Sequence, residues 1–174
     1  MVKTLLKSVR EYKKATILTP FFVALEVVME VLLPFVMALL IDQGIEKGNM
    51  NVIYKYGFIL ILFALLSLLF GYLSGRFASI ASSGFAKNLR HDMYYKVQDY
   101  SFANIDKFST SSIITRLTTD VTNVTNAFQM AIRIAVRAPL MFVFSLIMAF
   151  SLNAKISLIY LIVAPILLIC LLII

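Results

Sequence analysis

An all-α, multi-pass membrane protein is the fold class this sequence predicts, and three observations carry the prediction. Apolar residues make up 61% of the 174 residues, and the mean hydropathy is +0.92. A soluble domain is only about half apolar. Charged residues amount to 14%, against roughly a quarter in soluble domains. The apolar residues also gather into stretches near the ~20 residues that a helix needs to cross a hydrocarbon core of about 30 Å. Lipid offers no hydrogen bonds to an open sheet edge, so such stretches span as helices. The composition excludes a disordered chain, an ordinary soluble enzyme and nucleic-acid binding as the main role. The net charge of +7 reads instead as basic flanks of membrane spans. Cys170 has no second cysteine to pair with, and His91 is too isolated to build a metal site with it.

Four spans are expected, with membrane lipid around them. The first runs from about Thr16 to Ile41. It is too long for a signal-peptide core and contains Glu26 and Glu30, so it is read as a span. The second covers about 56–75. The third covers about 138–152, or 133–152 when its inner end is counted. The fourth starts near Ile156 and is still apolar at Ile174. A helix ending in mid-bilayer would leave carbonyls unsatisfied at several kcal/mol each, on the order of a lost buried hydrogen bond apiece. The sequence is therefore expected to be a fragment cut inside its fourth span.

Lys and Arg set the orientation. Residues 1–14 carry Lys3, Lys7, Arg10, Lys13 and Lys14. Residues 76–137 add Arg76, Lys87, Arg90, Lys96, Lys107, Arg116, Arg133 and Arg137. The opposite connections hold only Lys47, Lys55 and Lys155. The basic side is expected to be the cytoplasm, which places the N-terminus there in the cell membrane. On that side the glycosylation-like Asn123-Val124-Thr125 is a chance match. Gly71-x-x-x-Gly75 is read as helix packing, and the prolines at 20, 34, 139 and 165 as bends or hinges.

The segment 76–137 is too long for a turn and too regular for a floppy loop. Phe77, Ala81, Phe85, Leu89, Met93 and Val97 recur at helical spacing, with Lys87, Asn88, Arg90, Asp92, Lys96 and Gln98 on the other faces. This predicts an amphipathic helix that continues the second span into water. Ile113, Leu117, Val121, Val124, Phe128 and Ile132 form a second such seam, leading into the third span. The two arms should pair as an antiparallel hairpin. Between them Tyr100–Ser109 combines turn formers with Phe102, Ile105 and Phe108. Apolar residues at a water-exposed tip either close the hairpin end or dock a partner.

This arrangement resembles the transmembrane domain of ATP-binding cassette (ABC) exporters. The run Phe102–Val121, FANIDKFSTSSIITRLTTDV, is similar to the family's first intracellular loop. That loop follows a pattern close to G-x-I/L-I/L-S/T-R-L/V-x-x-D, met here by Ile113, Ile114, Thr115, Arg116, Leu117 and Asp120. LLIDQGI at Leu39–Ile45 looks like the exit of the family's first helix, and short outer loops with long inner ones fit the same layout. Ser111 stands where the family has Gly. Spans five and six and the phosphate loop G-x-x-x-x-G-K-S/T do not occur in this sequence.

The resemblance implies a helical bundle with four of its six spans, forming part of an ATP-hydrolysing translocase without itself carrying a catalytic motif. It implies a nucleotide-binding domain that holds ATP and Mg, and a second transmembrane subunit in a homo- or heterodimer. It implies export of a small molecule, drug, lipid or peptide. It makes Ser101, Phe102, Ala103, Asn104, Ile105, Asp106 and Phe108 a coupling helix, with Phe102 and Ile105 as its anchors and Asp106 as a rim contact. The alternatives are a secondary transporter or channel subunit, which would show a broken helix or a filter loop, and a non-transporting scaffold, which needs no matched arms.

Carboxylates inside a span are rare and cost about 2.5–3.5 kcal/mol each. Glu26 and Glu30 lie one turn apart in the first span and are candidates to line a substrate cavity that favours cationic amphipaths. Counted from the outer ends of their spans, Glu26 and Arg137 fall at similar depth, so a Glu26–Arg137 pair is geometrically open. The competing reading has Arg133 and Arg137 reaching to the headgroups while the glutamates face water.

Overall fold

The computed structural model describes residues 5, 7–99, 110–152, 157, 158, 163 and 170. A 3-10 turn at Arg10–Tyr12 leads into helix α1 (Lys13–Leu40), which finishes in a π-helical turn, Ile41–Ile45. Helix α2 (Met50–Gln98) is a single helix of 49 residues. Helix α3 (Thr110–Thr115), a π-helical turn at Arg116–Asp120 and helix α4 (Val121–Leu152) complete the elements. No strand occurs among the described residues. The all-α fold class is thus the observed one.

Three segments are long and apolar enough to cross a membrane: Arg10–Ile45, Met50–Gln98 and Ser111–Ser151. They contain the first three expected spans. The fourth expected span lies almost wholly outside the described residues. The span surfaces show why the protein belongs in lipid. Ile17, Phe58, Leu65, Leu68 and Ile147 are each at least 60% exposed, a display of apolar surface that water would penalise at about 25 cal/mol per Å².

The break between α1 and α2 is set by Gly48. Its φ of +62° is the left-handed conformation that closes a helix, and a side chain there would be strained. Within the π-helical turn the Glu46 amide donates to the Ile41 carbonyl, and the Asn49 amide donates to the Gly44 carbonyl at 2.9 Å. Pro139 sits inside α4 without ending it.

The chain divides into two compact units, residues 1–23 with 69–136 and residues 24–68 with 137–174. The core of the first unit is Val9, Phe85, Ala86, Leu89 and Val121, with Tyr12, Met93, Val124 and Phe128 packed against it. Phe85 stacks on Phe128 with centroids 4.6 Å apart. Nearer the span, Gly75 of α2 faces Arg133 of α4; nearer the tip, Met93 and Val97 share a cavity with Ile113 and Leu117. Partners on the second arm fall in number as those on α2 rise, so the arms are antiparallel, as the two apolar seams predict. Fully burying one such aromatic contributes roughly 1.5–3 kcal/mol.

The N-terminal segment is the part the seams do not announce. Val9, 5% exposed, sits in the core. Asn88 donates through Nδ2 to the Ser8 carbonyl at 3.0 Å. The Asp92 carboxylate accepts from Ser8 Oγ at 3.1 Å and from Arg10 Nη2 at 2.6 Å. Asn88 and Asp92, which the periodicity puts on water-facing sides of the arm, are instead the seats of this segment. Gly84 makes room for it. A Cβ there would fall on the ring of Tyr12, against Cγ, Cδ2 and Cε2.

The second unit holds the outer parts of α1 and α2 and the span part of α4. Across the break between the first two helices, Tyr56 donates its hydroxyl to Gln43 Oε1 at 3.2 Å.

Candidate functional site

Spacing puts Glu26 and Glu30 on one face of α1, because residues four apart nearly superimpose along a helix. Arg137 of α4 reaches both, and all three belong to the second unit. Its Nη1 donates to Glu26 Oε1 at 2.9 Å. Its Nη2 donates to Glu30 Oε1 at 2.6 Å and to Oε2 at 2.8 Å. The planar fork of a guanidinium suits this divided grip, whereas an ammonium offers a single point charge. The side chains of Glu26, Glu30 and Arg137 are 9%, 25% and 35% exposed. One guanidinium thus binds both carboxylates.

The Glu26–Arg137 pair that the depth count left open is present, and Glu30 joins it. The depth count pointed to Glu26 alone, because it compared single residues. The i, i+4 spacing of the two glutamates was the signal for a shared partner. Arg133, one turn from Arg137, is not part of this cluster. It lies in the first unit over Gly75, in an open cavity it shares with Arg76.

The loop-motif residues Arg116 and Asp120 are the first and last of the π-helical turn, and both are exposed. Arg116 lines a small cavity of about 120 Å³ with Met93, Lys96, Val97, Ser112 and Ile113. Threonines shape this stretch. Thr115, Thr118, Thr122 and Thr125 each donate their hydroxyl to the carbonyl four residues back, at 2.7–3.0 Å. Such back-bonding draws carbonyls off the helical ladder and bends helices, and a π-helical turn within a helix is frequent at functional positions. The proposed coupling residues Ser101, Phe102, Ala103, Asn104, Ile105, Asp106 and Phe108 lie outside the described residues. His91 is solvated, as its charged surroundings suggest, with its side chain 58% exposed and Nδ1 3.7 Å from Asp92.

The family of the ABC transporter transmembrane region matches this chain over residues 16–174. An uncharacterized ABC transporter ATP-binding protein of Bacillus subtilis, YfiB, is 35% identical over 147 residues, covering 84% of this chain and 26% of that protein. A second uncharacterized ABC transporter ATP-binding protein, from Mycobacterium tuberculosis H37Rv, is 26% identical over 167 residues, covering 96% of this chain and 29% of its own length. An ATP-dependent lipid A-core flippase of Pseudoalteromonas translucida is 28% identical over 125 residues, 72% of this chain and 22% of the flippase. The chain thus spans about a quarter of the curated relatives it matches. With three membrane-crossing helices, two of which carry packed antiparallel arms, and a family match over nearly its whole length, the chain belongs to the ABC transporter transmembrane family.

Proposed function

We propose that this chain is the permease part of an ATP-driven exporter. Its arms carry motion from a nucleotide-binding domain to the membrane helices. The observation that supports this most is the continuity of α2. One helix of 49 residues, about 74 Å long at 1.5 Å per residue, contains both a span and an arm. A hydrocarbon core takes up only about 30 Å of it. Its arm is packed against the second arm, and a packed helix pair passes displacement along its length, which is what coupling to a distant ATPase needs. A secondary transporter or a scaffold has no use for such a rod.

In this reading ATP and Mg are held by the nucleotide-binding domain, and this chain supplies none of their ligands. A second transmembrane subunit completes the pathway, and the N-terminus is cytoplasmic. The segment Ser101–Phe108 docks on the ATPase through Phe102 and Ile105. Kinship to proteins named as lipid A-core flippases supports a lipid-like, amphipathic cargo. The two carboxylates of the Glu26–Arg137–Glu30 cluster suit a cationic group on that cargo.

The test is made in the complete transporter. Replacing Phe102 and Ile105 together by Ala should abolish substrate-stimulated ATPase and transport while leaving the assembly intact. Unchanged activity in both assays removes the lever reading. For the cargo, Glu26→Gln with Glu30→Gln should slow cationic substrates more than neutral ones. Equal rates for the two classes exclude a role in recognition.

A further inference from the structure

The cavity shared by Arg76 and Arg133 has a chemistry that the coupling function does not use. It is an open groove of about 610 Å³ between α2 and α4, lined by Gly71, Tyr72, Gly75, Arg76, Ser79 and Arg133. Among the described residues no carboxylate lines it, and neither arginine has a hydrogen bond or an ion pair. Arg137, one turn from Arg133, is bound to two glutamates; Arg133 is not. Its Nη1 instead lies 3.8 Å from where a Gly75 Cβ would stand, so the guanidinium hangs over the floor of the groove. Arg76 follows directly on the apolar stretch 56–75, and Arg133 opens the stretch 133–152. Both guanidiniums therefore sit at the headgroup level of one leaflet, the leaflet on the side of the basic arms. On the membrane side of Arg76, Gly71 and Gly75 leave an apolar strip without side chains.

We propose that this groove binds an anionic phospholipid of the bilayer. The phosphate lies between Arg76 and Arg133, and an acyl chain runs along the Gly71–Gly75 strip. A guanidinium pair matches a phosphate by charge and by its planar donors. Reaching the interface from inside a span is the ordinary behaviour of arginine. Two such groups converging on one groove convert that general attraction into a site. The inference rests on membrane placement alone and is independent of what the transporter moves.

The experiment uses the full-length transporter in nanodiscs of phosphatidylcholine and phosphatidylglycerol in equal parts, with retained lipids identified by native mass spectrometry. Wild type should hold phosphatidylglycerol in preference to phosphatidylcholine. That preference should fall roughly fivefold for each arginine changed to Gln at positions 76 and 133, the attraction of one cation to an anionic leaflet. Arg76→Lys with Arg133→Lys should keep most of it. Gly75→Leu fills the strip and leaves both charges; it should also lower retention, and it serves if the Gln variants do not purify. Retention equal to wild type in both the Gln double variant and Gly75→Leu overturns the proposal. So does displacement of the lipid by millimolar inorganic phosphate, which would make the groove a site for free anions. Efficient crosslinking between two copies through Arg133→Cys also overturns it, since the groove would then be a subunit contact.

Discussion

Arg137 holds two carboxylates that a bilayer would otherwise reject, and the balance of charges there makes the consequences of substitution unequal. Arg137→Met takes from Glu26 and Glu30 the guanidinium that both accept from. It should destabilise the transporter by about 3 kcal/mol or more, read as a lower Tm in detergent. Adding Glu26→Gln and Glu30→Gln to that variant should restore most of the loss, because the cost lies in the stranded charge and not in the missing bond. Gly84 gives a second residue-scale prediction. Gly84→Ala places a methyl on the Tyr12 ring and should cost about 1–3 kcal/mol by overpacking. In a Tyr12→Ala background the same change should cost far less, and a double-mutant cycle on Tm measures the difference. Of these sites, Glu26 with Arg137 was legible in the sequence, since both are charges at countable depth in spans. The Gly84–Tyr12 contact was not, because a glycine in a helical seam carries no sign of what presses against it. Nor was the turn at Arg10, whose φ of 38° is unusual for a residue with a side chain.

The seams of the two arms were readable because amphipathic periodicity records which face is buried without saying by what. Phe85, Leu89 and Val121 were all named by their spacing, and all are in the core. Asn88 and Asp92 were misplaced by the same reasoning: a polar residue next to a seam looks solvated until a partner far away in sequence claims it. The π-helical turn at Arg116–Asp120 was also invisible, since hydropathy does not record where a helix widens by one residue. The pairing of the arms sets the prediction at this scale. Phe128→Ala removes the half-buried ring stacked on Phe85 and should cost about 1–3 kcal/mol. In the full-length transporter it should lower transport per ATP hydrolysed, because a loosened pair of helices absorbs displacement. A ratio of transport to hydrolysis equal to wild type would show that the arms do not act as levers.

For the molecule as a whole, the contacts of Ser8, Val9 and Arg10 with α2 put this segment on the same side of the membrane as the basic arms. A cysteine introduced at Lys7 should then react with a membrane-impermeant maleimide in inverted vesicles and not in intact cells. Labelling from outside would reverse the orientation deduced from Lys and Arg. Three apolar helices long enough to span were legible from hydropathy at this scale, because lipid imposes length and polarity together; the fourth expected span lies almost wholly outside the described residues.

The strapping of the N-terminal segment to α2 also bears on how the chain is made. Ser8 and Asp92 are 84 residues apart, a stretch that takes roughly 4 to 17 s to synthesise at 5–20 residues per second. Ser8 and its neighbours must wait, unpaired, while two hydrophobic segments are threaded into the bilayer, and they find their seat only after the second has been delivered. A translation pause placed before residue 92 would prolong that exposure and give proteases a window on the newborn chain.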